Sequence, residues 1–399
     1  MLTGKTIVLG VTGSIAAYKS ASLASLLVKQ GADVHVIMTR NACQFITPMT
    51  FETLTDNKCI VDTFDRNFSF DVKHVSLAKK ADLFIIAPCT ANVIGKIAGG
   101  ICDDMLTTTV MATKAPVLIA PAMNTGMWEN KILQDNLVRL RSCGYTVIEP
   151  ATGRLACGDV GSGKMPEPEV LMDHILLHIA KEKDLTGTTV LVTAGPTREA
   201  IDPVRYITNH SSGKMGYAIA KSAALRGAAV TLVSGPVSLQ PFPEVAVVSV
   251  TSAREMYDAV TARQQAFDVI IMCSAVADYT PSAYSDQKVK KSDGDMSIPL
   301  RRTDDILAFL GERKPEGQLL VGFSMETEHL IENSRAKLTK KNADLICANS
   351  ISSYKTGFGV DTNKVTLISS SGVEELPLCS KDETADMILD KVLSMKNAK

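Results

Sequence analysis

Short apolar runs alternate with stretches whose apolar positions recur every three or four residues, and the alternation continues through all 399 residues. In the first half the runs fall at 6–11, 33–38, 83–87, 117–120 and 145–148, with amphipathic stretches such as 15–29 and 129–142 between them. Near-continuous apolar strands, each followed by a helix, predict a parallel sheet covered on both faces. The pattern restarts in the second half with runs at 189–193, 229–233, 246–250, 269–273, 319–323 and 345–348. Helices are expected there at 215–226, 253–264, 328–340 and 383–395. Between the halves the polar stretch IAKEKDLTG ends one helix, and TTVLVTAGPT opens a new series as a domain's first strand does. The expectation is α/β, with two doubly wound parallel-sheet domains, 1–189 and 190–399. One segment, 278–297 (DYTPSAYSDQKVKKSDGDMS), is long, polar and lysine-bearing, and reads as a lid or a disordered loop.

Composition narrows the classes. Hydrophobic residues make up 45% of the chain, enough to bury two cores and to exclude wholesale disorder. Forty-two basic residues against 43 acidic ones leave a net charge of −1, so there is no basic excess for coating a polyanion, and no nucleic-acid partner is expected. Nine cysteines with no C-x-x-C pair fit reduced thiols in a cytoplasmic protein better than a disulfide framework. The start of the chain lacks a basic leader, and the longest apolar stretch is interrupted by Pro88, Asn92 and Lys96; neither a signal peptide nor a membrane span is expected.

Candidate chemistry gathers after the strands. GVTGS, with Gly13 and Ser14, follows the first strand and opens a helix whose N–H groups suit a phosphate, although a plain strand–helix turn is equally open from these residues. The second strand ends in Met-Thr39-Arg without an acid for a ribose diol, so one phosphate, as in a flavin mononucleotide, fits better than a dinucleotide. APCTAN, with Thr90 and Asn92, and PAMNTGMW, with Asn124, lie at further strand ends, followed by the glycine-rich ACGDVGSGKM. His174 and His178 have metal spacing on a helix but lack a third ligand, and read as helix surface. In the second half Ser212-Gly213 opens a helix as an anion cradle, without Walker A spacing. Each lysine there is by itself a solvated group; several converging on one crevice would suit a nucleoside triphosphate.

These segments resemble one family. GVTGSIAAYK, KHVSLAKKADL, IAPCTANVIGKIAGGICDDMLTTTV, PAMNTGMW and ACGDVGSGKM are similar to the decarboxylase half of the bacterial bifunctional phosphopantothenoylcysteine decarboxylase/phosphopantothenate–cysteine ligase of coenzyme A biosynthesis. RYITNHSSGKMG, SAVADY, VGFSMET and AKLTKKNADLICAN resemble its ligase half. The resemblance implies a flavoprotein-like domain over 1–189 and a Rossmann-like ligase domain over 190–399. It implies FMN held by Gly13, Ser14, Thr39, Thr90 and Asn92. His74 would belong to the catalytic base region, Asn124 would grip the substrate carboxylate, and Cys157 on a flap would donate a proton. CTP would meet Cys273, Ser274, Asp278, Lys288, Asp304, Asp305, Ile306, Leu307, Phe323, Lys337 and Lys341. Asn209 would act on the acyl-cytidylate, and Mg²⁺ would be held largely through the CTP phosphates and water. The implied substrates are 4′-phosphopantothenate and L-cysteine. The implied assembly is trimers through the decarboxylase domain, with FMN at their interfaces, and dimers through the ligase domain, building a dodecamer. One departure is local: Thr303-Asp304-Asp305 stands where the family commonly has Asn-Pro-Asp.

The implied chemistry accounts for these residue types. A cysteinyl carboxylate has no electron sink, and a flavin that oxidises the CH₂–SH to a thioaldehyde supplies one; a cysteine on a closing flap suits the later proton return. A carboxylate becomes an acylating agent only when its oxygen leaves as part of a good leaving group, which cytidylation provides. Lys288 would then counter charge on the phosphates and Asn209 would support the oxyanion. Two other functions compete: a two-domain nicotinamide oxidoreductase, which the missing dinucleotide fingerprint disfavours, and a non-catalytic flavin-binding regulatory protein, which the presence of His74, Asn124 and Cys157 disfavours.

Overall fold

The computed structural model describes residues 1–64, 73–155, 158–290, 297–326, 328–350 and 359–398. The chain forms two compact units, Met1–Lys181 and Glu182–Lys399. The division falls before the expected 189/190 because residues 182–188 pack against the second unit. Leu185 N donates to Arg226 O at 2.9 Å, and the buried Arg226 guanidinium pairs with Asp184 at 2.6 Å.

Unit 1 begins β1 (Thr6–Val11), α1 (Ala17–Lys29), β2 (Asp33–Met38), α2 (Pro48–Thr55), α3 (Lys73–Lys80) and β3 (Leu83–Cys89). It continues α4 (Ala91–Gly99), α5 (Met105–Ala112), β4 (Val117–Pro121), α6 (Thr125–Trp128), α7 (Lys131–Ser142) and β5 (Thr146–Val147). The hairpin β6 (Ala151–Arg154) and β7 (Val160–Lys164) and the helix α8 (Pro168–Ile179) close it. The sheet runs β2-β1-β3-β4-β5, with every pair parallel. Every residue of β1 and β3 is buried, as strands covered on both faces require. Leu83, Phe84, Ile85 and Ile86 are fully buried, each contributing about 2 kcal/mol of apolar transfer. On α1 the buried Ser20, Leu23, Ala24 and Leu27 form one stripe at helical spacing.

Unit 2 begins β8 (Thr189–Ala194), the hairpin β9 (Arg198–Ala200) and β10 (Tyr206–Thr208), α9 (Lys214–Leu225), β11 (Ala229–Ser234), β12 (Ala246–Ser249) and α10 (Ala253–Thr261). Then come β13 (Val269–Met272), β14 (Tyr279–Pro281), β15 (Leu300–Arg302), α11 (Ile306–Glu312), β16 (Leu319–Glu326), α12 (Leu330–Lys340) and β17 (Leu345–Ser350). The unit ends with β18 (Thr362–Asn363), β19 (Val365–Ser369), β20 (Gly372–Glu375), β21 (Cys379–Ser380) and α13 (Lys381–Ala398). Its large sheet is ordered β12-β11-β8-β13-β16-β17-β19-β20. Six of these strands are parallel. The expectation of a wholly parallel sheet needs correction at one edge, where β19 and β20 add antiparallel. No helix separates those two strands, and a short hairpin can return the chain only in the antiparallel sense. The 278–297 segment is also more ordered at its base than a loop: β14 pairs antiparallel with β15.

Two candidate active sites at strand ends

In unit 1 the strand order reverses direction between β1 and β3, and in such sheets ligands bind where the loops after those two strands diverge. Thr12, just past β1, joins the loops: its fully buried hydroxyl donates to Pro88 O at 2.8 Å and accepts from Thr90 N at 3.0 Å. The crevice they frame is a cavity of about 760 Å³ to which Gly13, Ser14, Thr39, Thr90 and Asn92 all contribute. Three separate sequence segments thus converge on one crevice. The helices α1 and α4 start at its edge, and neither start is capped by a side chain, which suits an anion. The sequence reading missed Lys96, which lines the cavity and bonds Asp103 at 2.7 Å and Asp104 at 3.3 Å. The Asp103 carboxylate, against some loss from burial, raises the Lys96 ammonium above its ordinary pKa.

A second chamber of about 580 Å³ shares Ser14, Ile15, Ala122 and Met123 with the first and adds Lys19, Asn124 and Arg154. Asn124 caps α6, its carbonyl oxygen accepting from Gly126 N at 2.8 Å, while its amide donates to Asp159 at 3.1 Å. The β6–β7 hairpin is held against this wall by Met123 N, which donates to Gly163 O at 3.0 Å. Gly163 has φ 126, and a Cβ there would meet Met123 O at 2.4 Å, so only glycine fits. Buried Lys19 ties the segment after the hairpin to α1, donating to Met165 O at 3.0 Å and Glu167 at 2.9 Å. Cys157 lies outside the described residues. His74 sits half-buried in α3 and is not among the described residues lining either chamber.

In unit 2 a crevice of about 460 Å³ opens at the carboxyl ends of β13 and β16. Ser274, Asp278, Asp304, Asp305, Ile306, Leu307, Phe323, Lys337 and Lys341 line it together. Lys341 pairs with Asp305, and Lys337 Nζ donates to Phe323 O at 2.8 Å. Burial pushes the Asp305 carboxyl up, but the Lys341 ammonium and the Ala308 N–H outweigh it and hold it below the usual carboxylate range. Ser274 Oγ is buried and has no hydrogen-bond partner among the described residues. An orphaned hydroxyl in a crevice wall is a mark of a ligand position. Arg302, Tyr279 and Thr303 also line the crevice; their approach depends on the β14–β15 pairing, for which the sequence gives no short-range signal.

Three expected residues stand apart. Cys273 is half-buried and does not line the crevice; burial pushes its thiol up to about 12, while Cys273 N and Ser274 N both donate to Thr193 Oγ1, at 3.0 and 3.1 Å. Asn209 is outside the crevice lining, its amide donating to Ala275 O at 2.8 Å. Lys288 is exposed and does not line the crevice. Gly213, with φ 78, starts α9 behind Ser211 and Ser212 without a side-chain cap. His178 donates through Nδ1 to His174 O at 2.8 Å, an ordinary helix contact. Among the described residues, no cluster of three His, Cys, Asp or Glu is arranged to hold a metal ion, and no helix is long and apolar enough to cross a membrane.

These features define a protein of two α/β units, each with a ligand crevice at the carboxyl ends of its parallel strands. Residues 1–180 match the flavoprotein family model, and residues 185–395 match that of the DNA/pantothenate metabolism flavoprotein C-terminal domain. The chain is 48% identical over 399 residues to the coenzyme A biosynthesis bifunctional protein CoaBC of Bacillus subtilis, covering 99% of this chain and 98% of that protein. It is 43% identical over 401 residues to the CoaBC protein of Escherichia coli K12, covering 100% and 99%. Among solved structures it is similar to the C-terminal domain of a CoaBC protein, with 46% identity, a TM-score of 0.48 and coverage of 55% of this chain and 100% of that one. The chain belongs to the CoaBC family of coenzyme A biosynthesis bifunctional proteins, as the motif resemblance implied.

Proposed function

We propose that unit 2 joins 4′-phosphopantothenate to L-cysteine through an acyl-cytidylate made from CTP with Mg²⁺. Unit 1, holding FMN, then decarboxylates the product to 4′-phosphopantetheine. The observation that carries this reading is the convergence in each unit: Gly13, Ser14, Thr39, Thr90 and Asn92 around one cavity, and nine of the expected nucleotide residues around the other.

In unit 1 the uncapped starts of α1 and α4 would hold the flavin phosphate with the Ser14 and Thr90 hydroxyls. Bound there, FMN supplies reversible two-electron oxidation of the substrate thiol carbon. The adjoining chamber suits the substrate itself. Asn124, held by its cap on α6, would exchange its amide contact with Asp159 for a substrate carboxylate, and Cys157 would return the proton. Ile15 and Tyr18, at the chamber rim, are 58% and 63% exposed, which favours cover by a second copy of the chain. Such cover also gives His74 a role, because it would serve the chamber of a neighbouring copy in a trimer. Dimers through the ligase units and a dodecamer in the cytoplasm complete this reading.

In unit 2 Arg302, Lys337 and Lys341 would meet the anionic nucleotide, with Asp278 available to ribose or base groups. Lys288 would neutralise charge as pyrophosphate leaves. One amide hydrogen of Asn209 is committed to Ala275 O, which fixes the amide plane and leaves the second hydrogen for the tetrahedral oxyanion. The test is incubation of the purified chain with 4′-phosphopantothenate, cysteine and either CTP or ATP, followed by product masses. Phosphopantetheine formed with CTP is expected; no ligated product with any nucleotide would overturn the reading.

A further inference from the structure

The turn between β9 and β10 contains a carboxylate that neither crevice uses. Asp202 is 2% exposed. Its Oδ1 accepts from Val204 N at 2.9 Å and Arg205 N at 2.8 Å. Its Oδ2 accepts from Arg205 Nε at 3.0 Å and Nη2 at 2.6 Å, and also from Val289 N at 3.1 Å, 87 residues away. Arg205 Nη2 completes the link by donating to Val289 O at 2.8 Å. Both backbone groups of Val289 are therefore held by one ion pair. On the other side of Lys288, Ser285 N donates to Ile201 O at 3.1 Å and Ser285 Oγ to Gln287 O at 2.7 Å. The same turn thus fixes the chain on both sides of Lys288 and leaves its side chain exposed.

A surface turn could be closed by an asparagine or serine without burying a charge. A buried carboxylate met by five donors is costly to assemble, and it is worth assembling where one geometry must be selected. We infer that the Asp202–Arg205 pair is a positioning device for Lys288, aligning its ammonium with the triphosphate during acyl-cytidylate formation. This rests on the ligase reading of unit 2. Asp202 itself touches no reacting atom.

The test uses the full chain and single-turnover pyrophosphate release from CTP and 4′-phosphopantothenate, with cysteine omitted. Lys288→Gln removes the ammonium, and Asp202→Asn removes the charge that binds Arg205 and Val289. Each should slow the step by about a hundred-fold, the cost of misplacing a reacting group by an ångström. The double variant should be no slower than Lys288→Gln alone, because an anchor has nothing left to position. Release of carbon dioxide from supplied phosphopantothenoylcysteine should stay at the parental rate in all three. Should Asp202→Asn fail to fold, Val289→Pro removes the same bond from the loop side and should slow the same step. Losses that multiply in the double variant would overturn the inference while leaving Lys288 in its role. A Lys288→Gln protein of parental rate would remove both the role and the inference.

Discussion

In unit 1 the two loops that frame the first crevice are joined by a threonine hydroxyl beside uncapped helix starts, with the ion pairs of Lys96 to Asp103 and Asp104 lying in the wall rather than joining those loops. In unit 2 the corresponding work is done by ion pairs, Lys341 with Asp305 at the crevice and Asp202 with Arg205 beside it. The difference matches the ligands proposed for each. A single phosphate on a flat ring needs N–H groups and space. A triphosphate that must lose pyrophosphate needs cations, and cations in a crevice need carboxylates to hold them. Damage to a wall should therefore remain within its own unit, and its size should scale with the burial of the groups lost.

The largest effect is expected for Gly216→Val. A Cβ at Gly216 would lie 2.6 Å from Ala194 Cβ and 2.8 Å from Thr193 O, so α9 could no longer rest on β8. Overpacking of this kind costs about 3 kcal/mol. Pyrophosphate release should disappear while the flavin absorbance of unit 1 remains. Thr12→Val comes next. It strands the buried Pro88 O and the partly buried Thr90 N at about 2 kcal/mol. Flavin should be released at lower urea concentration, with the ligase rate unchanged.

Much of this architecture is legible in the chain. The strands of both sheets read as apolar runs, and the crevice residues fall at their ends. β19 and β20 were not legible: Val365–Ser369 is one short mixed run, and all four residues of Gly372–Glu375 are exposed. The helix α5 is rich in small and apolar residues and shows little amphipathic contrast beside the strands. At the site, Arg302 and Tyr279 escaped because a hairpin joins them across a polar segment. The link from Asp202 to Val289 escaped for a related reason, since no periodicity couples positions 87 apart.

Two smaller effects sharpen the contrast. Lys341→Met should weaken CTP binding by about tenfold through loss of a charge-assisted contact. Unit 2 should lose under about 1 kcal/mol of stability, because Asp305 is 54% exposed. The smallest effect is a pH dependence in unit 1. Burial is the main cause holding His35 below its ordinary pKa, against the pull of Asp33. Burial pushes Asp33 up, but Lys80, Asn57 and His35 outweigh it and hold Asp33 at about 2. Both folded values are depressed, so both contributions are present near neutrality and are lost on acidification. The His35 part should go first, as pH falls below about 6.5, and the Asp33 part below about 4. In urea titrations from pH 7 to pH 3, His35→Gln should abolish the first decline and keep the second.

The central claim is that one chain carries two reactions in two separate crevices. It is tested most directly by measuring pyrophosphate and carbon dioxide from Lys288→Gln and Asn124→Ala, each given CTP, cysteine and 4′-phosphopantothenate, and in parallel phosphopantothenoylcysteine alone. Lys288→Gln should slow pyrophosphate release by about a hundred-fold yet still free carbon dioxide from the supplied intermediate at the parental rate. Asn124→Ala should release pyrophosphate and accumulate phosphopantothenoylcysteine. Either variant losing both activities while remaining folded would contradict the claim.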